Sequence, residues 1–170
     1  MIEREKTYLL KYIPANLYTY PFKTVEDVYI PWKDMPAQIR FRKTDDVYNF
    51  TKKCPIVEDN RSFQEEQTIF VDQEEFNYIR SYLPNKIHKH RYYLPYQWLT
   101  IEVDVFQEEL TWLIMADVEF PDELSKENFL MPDFCLCEVT QDVTFAGWLL
   151  CGKTYQDISN KLEKLWYKKL

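Results

Sequence analysis

Seven stretches of this chain alternate polar and apolar residues with a period of two, the spacing of a half-buried β-strand. They are Glu3 to Lys11, Ala37 to Lys43, Val47 to Lys53, Gln67 to Val71, Ile87 to Leu94, Leu99 to Phe106 and Leu113 to Phe120. A weaker strand is expected near Cys137 to Thr140 and another over Val25 to Ile30. Helical periodicity is sparser. Asp72 to Leu83 opens on an N-cap acid and carries Phe76, Ile79 and Leu83 on one face. Asp122 to Phe129 can form a short helix after Pro121, and residues 154–170 place Ile158, Leu162, Leu165 and Trp166 on a packing stripe. No repeat or linker interrupts the 170 residues, so one β-rich α+β domain with peripheral helices is expected.

Composition removes several functions. Only Gly147 and Gly152 are glycine, so no glycine-rich phosphate loop can exist, and any phosphate chemistry falls to side chains. A formal net charge of -7 argues against non-specific nucleic-acid binding. No apolar run is long enough for a membrane span, and the charged first residues do not read as a signal peptide, so a cytoplasmic protein is expected. Cys54, Cys135, Cys137 and Cys151 form no C-x-x-C pair and read as structural thiols, and His88 and His90 as ordinary strand residues.

The polar faces of the strands are unusual. Glu3 and Glu5 share a face in the first strand, Glu102 and Asp104 oppose Ile101 and Val103, and Asp117 and Glu119 oppose Ala116 and Val118. Other strands pair cations: Arg40 with Arg42, Lys89 with Arg91, and Lys53 beside Thr51. The plain account is an antiparallel sheet with one wet face, where signs normally mix. Here each strand carries one sign. Should these faces converge, an acidic wall suited to a hard divalent cation would meet a basic wall suited to phosphate oxygens. That combination is the equipment of phosphoryl transfer.

The order of these pairs resembles the CYTH superfamily, the triphosphate tunnel metalloenzymes. Glu3-x-Glu5, Arg40-x-Arg42, Thr51-x-Lys53, Lys89-x-Arg91, Glu102-x-Asp104, Asp117-x-Glu119 and Glu138-Val139-Thr140 follow one another from Ile2 to about Leu150. The resemblance implies a closed antiparallel eight-stranded β-barrel over about residues 1–150 whose interior is a charged tunnel, with the 154–170 helix outside. It implies Mg²⁺ or Mn²⁺ held by Glu3, Glu5, Asp117 and Glu119. Glu102, Asp104 and Glu138 would hold a second metal or position the attacking water. Arg40, Arg42, Lys53, Lys89 and Arg91 would grip the phosphates. The implied activity is hydrolysis of a small-molecule triphosphate: inorganic tripolyphosphate, a nucleoside triphosphate or thiamine triphosphate. Cyclisation of ATP to cyclic AMP and non-catalytic triphosphate or polyphosphate binding are the other functions such a barrel allows, in a monomer or homodimer. Thr7 stands where the opening ExExK motif carries lysine, Thr144 falls where an arginine usually follows, and Arg61 with Glu65 or Glu66 matches the mid-chain motif in part.

Overall fold

The computed structural model describes residues 1–30, 38–58 and 60–170. Nine strands form: β1 (Ile2–Leu10), β2 (Phe22–Tyr29), β3 (Gln38–Thr44), β4 (Val47–Pro55), β5 (Phe63–Val71), β6 (Ile87–Tyr96), β7 (Leu99–Phe106), β8 (Ile114–Glu119) and β9 (Cys135–Glu138). Antiparallel pairing runs β5-β4-β3-β2-β6-β7-β8-β1, and a β5–β1 pairing closes the ring into an eight-stranded barrel. One edge of β1 is shared: Ile2, Glu3 and Arg4 pair with β5, whereas Tyr8, Leu9 and Leu10 pair with β9. The short ninth strand thus covers the part of β1 that barrel closure leaves open.

Residues sharing a strand face explain why the barrel is polar inside. Most apolar strand residues point outward and are covered in patches by the rest of the chain, whereas Ile87, Phe106 and Met115 face inward at one end. Ile101, Val103, Ala116 and Val118 pack under Leu17, Phe120, Phe129 and Phe134. Val28 and Phe41 pack under Phe76 of helix α1 (Gln73–Tyr82). A third cluster, with Leu9, Phe106, Leu113 and Met115, packs against Phe145, Leu150, Ile158 and Leu162 near the C-terminus. Burying such side chains contributes on the order of 1.5–3 kcal/mol each.

Helix α2 spans Glu123–Asn128, α3 spans Gly147–Leu150 and α4 spans Tyr155–Lys164. The C-terminal helix therefore stops short of the expected residue 170. Trp166 adopts φ 61°, the Trp166 N–H donates to Glu163 O at 3.0 Å, and the Tyr167 N–H donates to Leu162 O at 3.0 Å. This is the Schellman ending, here with tryptophan at the left-handed position. Tyr167 is held because its hydroxyl donates to Trp112 O and accepts from Ile114 N, both at 2.8 Å. The first residue expected in the third strand, Ala37, lies outside the described residues. Strand β5 starts four residues before the expected Gln67.

Candidate active site

The inward faces enclose a cavity of about 520 Å³. Round the ring, neighbouring strands β7, β8 and β1 contribute Glu102 and Asp104, Asp117 and Glu119, and Glu3 and Glu5, with Glu66 of β5 beside them. Strands β4, β3, β2 and β6 contribute Lys53, Arg40 and Arg42, Lys23, and Lys89 and Arg91. The segregated charges of separate strands thus form two facing walls. Ile87, Phe106, Met115, Phe145 and Leu150 make one end of the cavity apolar, where Tyr29 lies so close to Gly147 that a Cβ there would sit 2.1 Å from its hydroxyl. Lys23, Thr44, Asp45 and Tyr93 line the opposite end.

Register sets like charges side by side on the acidic wall. Glu5 is directly opposite Glu119 across β1 and β8, and Glu102 is opposite Asp117 across β7 and β8. Such pairs repel unless a cation lies between or near them. Burial pushes Asp117 up to about 6, with the Asp104 and Glu5 charges adding to the rise. Burial likewise pushes Glu3 up to about 7, against the attraction of Lys53. Asp104 behaves oppositely: burial opposes its charge, yet Arg91 and Lys89 hold it down to about 2.

Cations bridge the two walls. Lys53 contacts Glu3 and lies 3.4 Å from Glu66 and 3.8 Å from Glu5. Arg91 grips both oxygens of Asp104 at 2.7 Å, contacts Glu102, and reaches Asp117 at 3.4 Å. Lys89 also contacts Asp104. Arg40 Nε is buried and has no hydrogen-bond partner among the described residues. Thr7, in the place of the motif lysine, donates to Asp117 Oδ1 at 2.7 Å, and its backbone N–H donates to Thr140 at 3.0 Å.

Eleven of the twelve site residues expected from sequence line this cavity, and Glu138 does not. It is exposed at the end of β9 and accepts from the Thr140 hydroxyl at 2.8 Å. That short strand pairs only with the last residues of β1, so its final side chain falls outside the barrel while Val139 and Thr140 line it. Asp27, Tyr29, Gln64 and Tyr93 line the cavity without having been expected there. None of them belongs to a like-charged pair two residues apart, so the pattern that exposed the others passed over them. His88 bridges Glu26 and Glu108 away from the cavity, and all four cysteines are free.

Among the described residues, no three acidic, histidine or cysteine side chains converge as ligands around one point, because Lys53 and Arg91 draw the carboxylates towards themselves. The chemistry of the donor set nonetheless fits Mg²⁺ or Mn²⁺: all-oxygen, carboxylate-rich, and internally repulsive without a cation.

No family model and no curated protein sequence matches this chain. Solved structures do. The inorganic triphosphatase NE1496 is 23% identical with a TM-score of 0.63, covering 87% of this chain and 93% of its own. PH1012 from Pyrococcus horikoshii OT3 is 15% identical with a TM-score of 0.54, covering 98% and 92%. A protein from Bacillus halodurans proposed to be an adenylate cyclase is 14% identical with a TM-score of 0.54, covering 99% and 91%. At these identities the likeness is one of fold: the chain shares the barrel of these proteins, here with a charged interior.

Proposed function

We propose that this chain binds a triphosphate with Mg²⁺ or Mn²⁺ inside the barrel and hydrolyses its terminal phosphoanhydride bond. The supporting observation is the facing pair of charged walls, built from inward residues of all eight barrel strands. Glu3, Glu5, Asp117 and Glu119 would hold the metal, which would supply positive charge to offset that of the phosphates. Arg40, Arg42, Lys53, Lys89 and Arg91 would hold the phosphate chain, with guanidinium forks taking paired oxygens and ammonium groups acting as point charges. Asp104 stays ionised and keeps Arg91 in place, while Glu102 faces the lumen beside Asp117 and can orient a water. The water oxygen bonds to the terminal phosphorus as the bridging P–O bond breaks. Its proton passes to a carboxylate, and the leaving oxygen's charge falls on the basic wall. Glu138 is left out of this set and supports Thr140 from outside.

The test is phosphate release from tripolyphosphate, nucleoside triphosphates and thiamine triphosphate across Mg²⁺ and Mn²⁺. Release of orthophosphate from at least one supports the reading, and cyclic AMP as the product from ATP replaces it with cyclisation. Tight binding without any turnover makes the barrel a triphosphate holder, a reading favoured by Thr7, whose hydroxyl supplies no charge where the motif has lysine.

A further inference from the structure

We propose that Asp27 is a positioning residue of the basic wall: its carboxylate fixes the Arg42 guanidinium so that the fork's remaining N–H groups face a phosphate in the tunnel. The inference rests on the triphosphate-binding reading above. Asp27 is the one acidic side chain directed into the cavity from strands β4, β3, β2 and β6 among the described residues. An acid in an anion-binding wall needs a reason. Its neighbours supply one.

Asp27 sits directly across from Arg42 in the β2–β3 register and is only 2% exposed. Arg42 Nε donates to Oδ1 at 2.6 Å and Nη2 donates to Oδ2 at 2.7 Å, a bidentate grip that fixes the plane of the guanidinium. Nη1 has no partner among the described residues, so the pair leaves that end of the fork for a ligand. Arg40 Nε and Lys89 Nζ each lie 3.9 Å from the same carboxylate, so one buried charge gathers three cations contributed by two strands. With both oxygens engaged by Arg42 and almost no exposed surface, Asp27 cannot itself ligate a metal or touch substrate. It acts through Arg42, as outer groups orient the ligands of a metal site.

Simple charge arithmetic and positioning predict opposite outcomes. If Asp27 only subtracts positive charge from the wall, its removal tightens triphosphate binding. If it aims Arg42, its removal or displacement weakens binding. Three variants separate these: Asp27→Asn, which removes the charge at constant shape; Asp27→Glu, which keeps the charge but moves the carboxylate by one methylene; and Arg42→Lys, which keeps the cation but loses the fork. Calorimetric titration with Mn²⁺ alone, then with inorganic triphosphate in the presence of Mn²⁺, reads the two walls separately. Each variant that folds is expected to take up Mn²⁺ like wild type and to bind triphosphate roughly ten- to a hundredfold more weakly. Asp27→Glu combined with Arg42→Lys should lose little more than either alone, since both act on one fork. Wild-type triphosphate affinity in Asp27→Glu or Arg42→Lys, or tighter binding by Asp27→Asn, overturns the proposal. Should wild type itself bind no triphosphate with or without Mn²⁺, the functional reading fails instead, and the assignment of Asp27 with it.

Discussion

Glu119 and Asp27 are carboxylates of one tunnel in opposite circumstances. Glu119 is exposed and makes no ion pair among the described residues, whereas Asp27 is buried and doubly bonded to Arg42. Replacing Glu119 by Gln should therefore change stability by less than about 0.5 kcal/mol. On the proposed metal role, phosphate release should fall more than about a hundredfold, a loss that circular dichroism, a melting curve and a steady-state assay together can resolve. Full activity in that variant would remove Glu119 from the metal set. Asp27 affects stability as well as triphosphate binding. Burial opposes its charge, but Arg42 with Arg40 and Lys89 holds its carboxyl well below the usual carboxylate range. A depressed carboxyl contributes stability that is present above its unfolded value of about 3.9 and is lost as pH falls towards the folded one. Asp104, held down to about 2, acts in the same window and the same direction. Glu3 and Asp117, pushed up by burial to about 7 and about 6, take up protons in the folded state and add stability as pH falls through that range. The melting temperature should therefore not decline until about pH 5 and should then drop steeply below pH 4. Asp27→Asn should begin lower, by a few kcal/mol from leaving Arg42 buried without its partner, and show a shallower acid limb. An acid limb as steep as wild type in that variant would contradict this account.

At the scale of elements, strands that bury one face and present paired charges on the other were readable from the chain alone. Leu99–Phe106 was found to the residue, and Ile87–Tyr96 needed two more at its end. Phe22–Tyr29 was harder, because Lys23, Thr24, Glu26 and Asp27 spread polar groups over both faces and hide the alternation. The first half of β5 was missed for a related reason: its run Gln64, Glu65, Glu66, Gln67 is polar on both sides, although Gln64 and Glu66 line the tunnel. Which strand closes on which is a long-range fact, and no local pattern carries the β5–β1 pairing that turns a sheet into a tunnel. Helix α1 was readable because its signal is local. The Asp72 side chain accepts from the Glu75 N–H, and the Glu75 side chain accepts from the Asp72 N–H, both at 2.9 Å. This capping box fixes the start of the helix that covers Val28 and Phe41. Asp72→Ala should cost about 1 kcal/mol and lower the melting temperature by about 2–4 °C, with triphosphate turnover at low temperature unchanged. A loss of turnover at temperatures where the variant is fully folded would mean that α1 does more than cover the barrel.

For the whole molecule, the decisive quantity is the charge enclosed by the barrel. The described lining carries ten acidic side chains against seven basic ones, so an anion entering alone meets a cavity that is already negative. Basic groups are also engaged by the acidic wall: Lys53 with Glu3, Glu5 and Glu66, and Arg91 with Asp104 and Glu102. A divalent cation taken up by Glu3, Glu5, Asp117 and Glu119 would relieve the Glu5–Glu119 and Glu102–Asp117 repulsions and release Lys53 towards phosphate. The unfolded chain has no such cluster, so the ion should stabilise the fold by mass action, by about 2.7 kcal/mol at a free concentration of about 100 times Kd. For a chain of this size that corresponds to a rise in melting temperature of about 5–10 °C. Mg²⁺ and Mn²⁺ should both produce it, a chelator should reverse it, and sodium chloride at matched ionic strength should not. Inorganic triphosphate should raise the melting temperature further only after the divalent ion is present, because without the ion the carboxylates hold the cations it needs. A melting temperature indifferent to both metals would take the metal out of the mechanism, and stabilisation by triphosphate alone would show that the basic wall is available without them.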